Sequence, residues 1–432
     1  MLHIRNADPD RQAEMLEQAK LEARCPFSKE KREPEAEPGC PFAKGQVAKR
    51  QAPGVTPPFD AGQQYVSNTG DHAFVAPSGS DQRGPCPGLN AMANHGYMPH
   101  NGVGSLQDFI DGTQAAFGMG ADLASFLAVY GAIFDGDLTS YSIGGPVNGL
   151  LNLGGLLGAP QGLSGSHNKY EGDASPTRGD LYQTGNDYLL QLAQFKELYA
   201  LGQQNSDSID LGVLTAYRNT RFTQSIDNNP YFFNAPFAGV IAQPAAWSFI
   251  YRFMANKSAE HPEGLLTGDV LKSFYSVTGD TPDEFVYTPG HEKFPDNWYK
   301  RNLVDYYTIP YLSIDSNAMA LQHPQFLAVG GNTGTGNSFV GVDIQNLTSG
   351  VYSADDLLKG NNGFCFGFEA GLQEAPDFLS GIYENVGPAL DKLSTAISQA
   401  ESGLGCEKLA KISEEQFAEY PGYTKLSSQG TY

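Results

Sequence analysis

Residues 84–90 read GPCPGLN and place a single cysteine between two prolines. Proline suits the first position of a helix, because its missing N–H would have no partner there in any case. Cys86 then takes the N-cap position, and the free N–H groups of Gly88 and Leu89 face its sulfur. Hydrogen bonds donated at a helix N-terminus lower the pKa of a thiol. The stretch therefore predicts a thiolate that acts as a nucleophile or as a metal ligand.

The bulk composition is that of a globular protein with an acidic surface. The chain has 432 residues, of which 40% are hydrophobic, and a formal net charge of −21. This charge argues against nucleic acids and anionic membranes as partners. No stretch reaches the ~20 apolar residues of a membrane span. Five cysteines and no apolar run at the N-terminus predict an intracellular, cytoplasmic protein.

Residues 1–70 differ from the rest and predict a flexible N-terminal extension. A short helix is predicted over about 8–24, and a charged, proline-rich stretch follows at 29–38. Two Cys-Pro-Phe motifs begin at Cys25 and Cys40.

Apolar periodicity predicts a mainly α-helical domain over residues 71–432. Helices are expected at about 106–117, 123–134, 189–199, 237–253 and 390–400. Ser105 is the expected cap of the first, and Pro244 is expected to bend the fourth. Strand patterns are few, and a small β-hairpin is predicted from 326–329 and 339–342. The expected architecture is one compact helical domain behind the extension.

A second motif, EGDAS, occupies residues 171–175. Its two carboxylates and its hydroxyl stand at i, i+2 and i+4, with a glycine carbonyl between them. Hard oxygen ligands on a tight loop suit Mg²⁺ or Mn²⁺. The candidate metal ligands are Glu171, Gly172, Asp173 and Ser175. By itself the motif is more often a helix cap and turn.

The two motifs together resemble the fungal haem-thiolate peroxidase family, which contains chloroperoxidase and the unspecific peroxygenases. Supporting patches are NHGY at 94–97, DGDL at 135–138, SIG at 142–144, RGD at 178–180 and SIDNNP at 225–230. The resemblance covers about residues 72–290 and weakens toward the C-terminus. The glycine at position 172 resembles the motif of the longer peroxygenase branch, because the chloroperoxidase branch carries histidine at that position.

The resemblance implies haem b as cofactor, with Cys86 as the axial iron ligand. The other expected haem contacts are Pro87, Leu89, Asn90 and Tyr170. It also implies a Mg²⁺ (or Mn²⁺) ion, held by the 171–175 motif, that binds a haem propionate. Thiolate ligation favours O–O cleavage. The implied reaction is peroxide-dependent oxidation or oxygenation of an apolar small molecule, and members without secretion signals often belong to fungal secondary metabolism.

One departure from the family pattern concerns the distal face of the haem. In the family a glutamate carries the peroxide proton, and peroxygenases pair it with an arginine seven residues earlier. An ungapped alignment from Asn229 places Ala238 and Ala245 at these positions, and neither moves a proton. A gapped match of Arg252 with Glu260 needs a long insertion. The catalytic residues stay unknown, and the polar candidates on the segment are Asn234, Gln243, Tyr251 and Arg252.

Three functions stay open. The first is the peroxide-dependent oxidoreductase, and the apolar run 235–241 predicts a pocket for an apolar substrate with Phe117, Met119 and Tyr170 as walls. The second is a redox-neutral rearrangement or dehydration, motivated by Ala245. The third is a non-catalytic haem-binding or redox-sensing protein, because Cys-Pro-Phe motifs resemble haem-regulatory sites and are also common by chance.

The pairing of the two C-terminal cysteines also stays open. Longer peroxygenases carry a disulfide in the neighbourhood of Cys365 and Cys406. Two free thiols fit an intracellular protein equally well.

Overall fold

The computed structural model describes residues 56–147, 160–379 and 386–423. The predicted helix at 8–24 and the motifs at Cys25 and Cys40 lie outside these ranges. The mainly α-helical prediction is confirmed for the described chain. Its helices are α1 (Ala61–Gln64), α2 (Pro87–Asn94), α3 (Leu106–Phe117), α4 (Ala121–Phe134), α5 (Leu181–Thr184), α6 (Leu192–Gln204), α7 (Leu211–Asn228), α8 (Gln243–Met254), α9 (Gly268–Phe274), α10 (Ile309–Gln322), α11 (Ile344–Leu347), α12 (Asn362–Leu379) and α13 (Gly387–Glu401).

The strands are short and form three small antiparallel sheets in the described chain. They are β1 (Val103–Ser105), β2 (Ser140–Ser142), β3 (Phe233–Asn234), β4 (Val277–Thr278), β5 (Val286–Tyr287), β6 (Gly330–Gly331) and β7 (Val340–Gly341). The predicted hairpin is present as β6 and β7, but its first strand lies later than expected. Residues 324–327 instead form a 3₁₀ turn that buries Phe326.

The helix α3 shows how local sequence sets the element boundaries. Ser105 accepts a hydrogen bond from the N–H of Asp108, whose carboxylate bonds back to Ser105, so a capping box starts the helix. Gly118 ends it in the left-handed region at φ 70°. Inside α3, a Cβ at Gly112 would lie 2.4 Å from the Tyr97 carbonyl oxygen, so the glycine permits close contact with the neighbouring chain.

The helix α4 lies in the interior, against α3 and α13. A Cβ at Gly131 would lie 2.5 Å from the Tyr141 ring, so this glycine lets α4 approach β2 closely. Tyr130 of α4 stacks on Phe237 with ring centroids 4.2 Å apart. The hydrophobic core thus runs continuously from α3 through α4 to the chain before α8.

Two predicted helices differ from the structure at their starts. The helix expected at 189–199 begins at Leu192, because Leu190 pairs with Arg178 in an isolated β-bridge. The helix expected at 237–253 contains a π-helical turn over Ala238–Ala242 before α8. Helical backbone continues through this turn from residue 236 to 254, so Pro244 lies inside the helix, directly after the π-helical turn, where its missing N–H interrupts the regular bonding.

The described part of the predicted extension, residues 56–70, is bonded to the helical domain. The N–H of Val66 donates to the Trp298 carbonyl at 3.2 Å. The buried Gln64 amide donates to the Lys300 carbonyl at 2.8 Å.

A disulfide joins Cys365 of α12 to Cys406, which follows α13. It closes a chain segment with a sequence separation of 41. Lys408 lies next to it and pairs with Glu369 at 2.7 Å and with Glu401. The bond and these ion pairs fix the chain after α13 onto α12.

We predict that the double variant Cys365→Ala/Cys406→Ala lowers the free energy of unfolding by about 2–4 kcal/mol, because a bond across such a loop restricts the unfolded chain. Urea denaturation of the purified protein measures this. Reduction of the unaltered protein is the control and should cause the same loss, while the double variant should not respond to reductant. An unchanged denaturation midpoint after complete reduction would contradict the prediction.

Candidate active site

The turn that carries Cys86 is held from two sides. Cys86 is the N-cap of α2 in an extended conformation, and Pro87 is the first helical residue. The Asn90 amide donates to the Gly84 carbonyl and accepts from the Gly84 N–H, both at 2.9 Å. The Arg178 Nε donates to the Pro85 carbonyl at 2.9 Å. These bonds fix the direction of the cysteine side chain before any ligand binds.

Burial dominates the titration of the Cys86 thiol. It raises the pKa of Cys86 above its ordinary value, although the N–H groups of Leu89 and Gly88 and the charge of Arg178 act to lower it. The lowered thiol pKa expected from the sequence is therefore wrong for the protein by itself. A metal ion bound to the sulfur favours the thiolate and reverses this balance.

Cys86 opens onto a large cavity that, together with the solvent at its mouth, has about 1440 Å³ of space free of protein atoms. The wall is mostly apolar and comes from α2, α3, α4, α8, α10 and α12. The predicted residues that line it are Cys86, Pro87, Leu89, Phe117, Met119 and Tyr170. Asn90 lies behind the wall, where it closes the cysteine turn. A large, mostly apolar cavity with a few polar groups is typical of a small-molecule or cofactor site.

The acidic motif divides between the cavity and the interior. Glu171 and Ser175 line the cavity, while Gly172 and Asp173 lie behind the wall. The Gln243 amide donates to the carbonyls of Gly172, at 3.0 Å, and Asp173. The buried Asp173 carboxylate accepts from Leu181 N–H at 3.1 Å and from the Asn229 amide at 2.8 Å. Two of the four predicted metal ligands thus have partners within the protein.

A buried histidine, His167, balances negative charge in the motif. His167 lies 3.2 Å from Asp187 (Nδ1 to Oδ2) and 3.9 Å from Asp173 (Nε2 to Oδ1). Burial lowers the pKa of His167, but Asp173 and Asp187 outweigh it and raise the value to about 9. Burial and the Asp180 charge raise the pKa of Asp173 to about 7. No local sequence pattern joins these residues, because Asp187 comes from a different loop.

Glu171 is the one carboxylate among the described residues that line the cavity. Burial and the charge of Asp187 raise its pKa well above the ordinary range, while Arg178 and His167 act to lower it. Among residues 56–147, 160–379 and 386–423, no three Cys, His, Asp or Glu side chains form a ready metal cluster. A thiol on an apolar wall, with a carboxyl group in that wall, fits a flat apolar cofactor with a thiolate-bound iron.

The distal segment gives the cavity an apolar wall. Ala245 lines the cavity beside Ala242, Phe249 and Ile250, while Ala238 is buried away from it. None of the four polar candidates lines the cavity. Instead Asn234 donates to the carbonyls of Phe326 and Ala328, Gln243 to those of Gly172 and Asp173, Tyr251 to that of Gly264, and Arg252 pairs with Asp315. Their expected distal role is corrected, because each polar group is already used in packing.

The turn, the cavity and the acidic motif lie within residues 72–303, which match the family model described as Peroxidase, family 2. A buried cysteine at a helix start, facing an apolar cavity, is the arrangement that a haem-thiolate peroxidase requires. The chain belongs to this fungal haem-thiolate peroxidase family, and it is an oxidoreductase of the peroxidase and peroxygenase type. Membership of the family implies haem as the cofactor and peroxide as a substrate.

Three relatives illustrate the similarity. The chain is 44% identical over 368 residues to the dothistromin biosynthesis peroxidase dotB of Dothistroma septosporum, which covers 84% of this chain and 88% of the relative. It is 39% identical over 364 residues to the aromatic peroxidase fscJ of Fusarium equiseti, covering 82% of each chain. It is 34% identical to the aromatic peroxygenase of Coprinellus radians over 49% of this chain and 82% of the relative. The redox-neutral and sensing alternatives are not favoured.

No helix among the described residues is long and apolar enough to cross a bilayer.

We predict that Ala245→Glu raises the rate of peroxide-dependent turnover by a factor of ~10² or more, because it adds a proton carrier to an apolar wall. Ala245→Gln is the matched control, since it has the same size and cannot act as a base. Stopped-flow measurement of the reaction with hydrogen peroxide tests both variants. Equal rates in the glutamate and glutamine variants would contradict the prediction, because the added carboxylate would then carry no proton.

Proposed function

We propose that the protein uses hydrogen peroxide to oxidise or oxygenate an apolar, aromatic small molecule in the cavity beside Cys86. The observation that carries this proposal is the cavity wall, which is apolar over most of its area and has a single thiol. Apolar walls select ligands by the surface they bury and reject hydrated ones. Two relatives, an aromatic peroxidase and a peroxidase of dothistromin biosynthesis, support an aromatic substrate in fungal secondary metabolism.

Cys86 is the proposed iron ligand of haem b. Haem held by a thiolate supplies the chemistry that cleaves an O–O bond. The N-terminus of α2 and Arg178 would stabilise the sulfur charge, and Asn90 would keep the turn from moving. The wall formed by Phe117, Met119 and Tyr170 would contact flat apolar ligands and exclude water.

The proton of the peroxide has no carrier on α8 in this proposal. The wall contributed by Ala242, Ala245 and Phe249 holds no group that titrates. The distal segment would therefore orient substrate by shape, and proton transfer would be slower than in relatives with a distal glutamate.

We also propose a Mg²⁺ (or Mn²⁺) ion at the edge of the cavity, held by Glu171 and Ser175. Both residues lie on the cavity wall, and carboxylate and hydroxyl oxygens are ligands of such ions. Gly172 and Asp173 already accept hydrogen bonds from Gln243 and Asn229, so they would contribute to the ion only through their remaining lone pairs. In such a site the ion would neutralise an acidic group of the cofactor.

We further propose an intracellular location, as the sequence pattern indicated. The Cys365–Cys406 bond is typical of oxidising compartments, so it favours an oxidising compartment inside the cell over the cytoplasm expected from the sequence. Cell fractionation combined with thiol labelling tests it, and recovery of reduced protein from the cytosol would contradict it.

We predict that Cys86→Ala removes the long-wavelength ferrous–CO absorption band that is typical of thiolate-ligated haem, because the sulfur ligand is lost. The absorption spectrum of the reduced protein under carbon monoxide measures this. Cys365→Ala is the control, since that sulfur lies outside the cavity and the band should stay. An unchanged band in Cys86→Ala would overturn the proposed ligand.

We predict that Glu171→Gln lowers the amount of Mg²⁺ or Mn²⁺ that copurifies with the protein and weakens haem retention, because the carboxylate charge is lost. Elemental analysis measures the metal, and the haem absorbance ratio measures retention. Asp187→Asn is the comparison variant, because Asp187 is buried behind the wall and should leave the metal content nearer to that of the unaltered protein. Equal metal content in the unaltered protein and Glu171→Gln would refute the ligand assignment.

A further inference from the structure

Arg218 of α7 is a buried charge whose neighbours are neutral. The residue is 3% exposed. Its Nη2 donates to the Gly239 carbonyl at 3.3 Å, and its Nη1 lies 3.8 Å from the Met319 sulfur. The guanidinium carbon lies 4.0 Å from the centre of the Phe326 ring, a cation–π contact. These contacts solvate the guanidinium, but none of them carries a negative charge.

Other arginines of the interior have an acidic partner. The pairs are Arg178 with Glu292 at 3.9 Å, Arg221 with Asp180 at 3.3 Å, Arg252 with Asp315 at 2.7 Å and Arg301 with Asp305 at 2.7 Å. Within the described residues, Arg218 has no carboxylate inside 4.0 Å, and burial lowers the pKa of Arg218 to about 9. A buried charge without an acidic partner is costly, so a negative charge placed beside Arg218 would be favourable.

Arg218 lines a small pocket that is separate from the large cavity. One wall is polar and comes from Ser313, Ser316 and Asn317 of α10. Another part of the wall is apolar and includes Phe326 and Leu357. An apolar wall strips water from an occupant and strengthens its attraction to a guanidinium.

The start of α12 also lines this pocket, through Gly363 and Phe364. The N–H groups of Asn362 and Cys365 donate to the carbonyls of Lys359 and Asn361. The N–H groups of Gly363 and Phe364 belong to the first turn, which has no acceptor inside the helix. The positive end of this 18-residue helix therefore acts on the same space as the guanidinium.

We propose that the pocket between Arg218 and the start of α12 binds a small monovalent anion, either a halide ion or the carboxylate of a small acid. Two independent sources of positive potential meet there, the buried guanidinium and the helix end. The formal net charge of −21 repels anions from the surface in general, so binding depends on these local donors. This anion site is a second binding site, distinct from the place proposed for the peroxide reaction.

The anion site lies one side chain away from the large cavity. Phe364 lines both spaces. Val240 and Ile241 are neighbours in the π-helical turn, and the first faces the anion pocket while the second faces the cavity. A bound anion would therefore fix the start of α12 and the aromatic wall that α12 contributes to the cavity.

Anion-dependent stability tests the proposal on the haem-loaded protein. Sodium bromide and sodium formate are titrated separately, and ionic strength is kept constant with sodium isethionate, whose anion is bulkier. We expect a saturable rise in Tm of roughly 2 °C at about ten times the dissociation constant for at least one anion. A response to bromide identifies an inorganic anion as the occupant, and a response to formate identifies a carboxylate.

Two variants separate this site from others. Arg218→Met keeps an unbranched side chain without the charge and should lose the saturable rise. Arg301→Met is the matched control, because Arg301 is also buried but has its own partner in Asp305, and it should respond as the unaltered protein does. The same rise in Arg218→Met, or no saturable rise in the unaltered protein, would overturn the proposal.

A second measurement decides the matter should Arg218→Met fail to fold. Crystals of the unaltered haem-loaded protein are soaked in sodium bromide or sodium formate. An anomalous bromide peak, or formate density, beside Arg218 would support the anion site. Neither signal at that position would overturn it, and bromide bound at the haem would not affect this reading, because the two spaces are separate.

Discussion

The site depends on a short network of hydrogen bonds that fixes the direction of one sulfur atom. Asn90 bonds both backbone groups of Gly84, and Arg178 bonds the Pro85 carbonyl, so the chain on each side of Cys86 is held. A ligand atom at a helix start is useful only when its direction is set before the metal binds. The cavity, the acidic motif and the helices around them are arranged about that fixed point.

The two faces of the cavity differ in polarity. On the Cys86 face, the N–H groups of Leu89 and Gly88 and the charge of Arg178 favour a negative charge on the sulfur. On the face formed by α8, polar side chains such as Gln243 and Arg252 turn away to partners elsewhere, and alanines are left on the wall. Charge is concentrated on one side of the proposed cofactor, and shape selection of the substrate on the other.

Most buried arginines of the described chain pair with a carboxylate, and Arg218 differs from them. His167 lies between Asp173 and Asp187, and Arg221 pairs with Asp180. These pairs hold together loops that are distant in sequence and keep the acidic motif in place. Arg218 lacks such a partner, and it lies where a helix end also favours negative charge.

The sequence by itself determined the local features: the cap at Cys86, the capping box that begins at Ser105, the positions of most helices and the family. Each depends on contacts within a few residues, which spacing reveals. Only the tertiary structure decided that burial outweighs the helix end at the Cys86 thiol, that Asn90 faces the turn, and that Gln243 bonds Gly172. It also joined Cys365 to Cys406 and left Arg218 without a carboxylate. Desolvation and pairing between distant loops depend on the whole fold, so no local pattern encodes them.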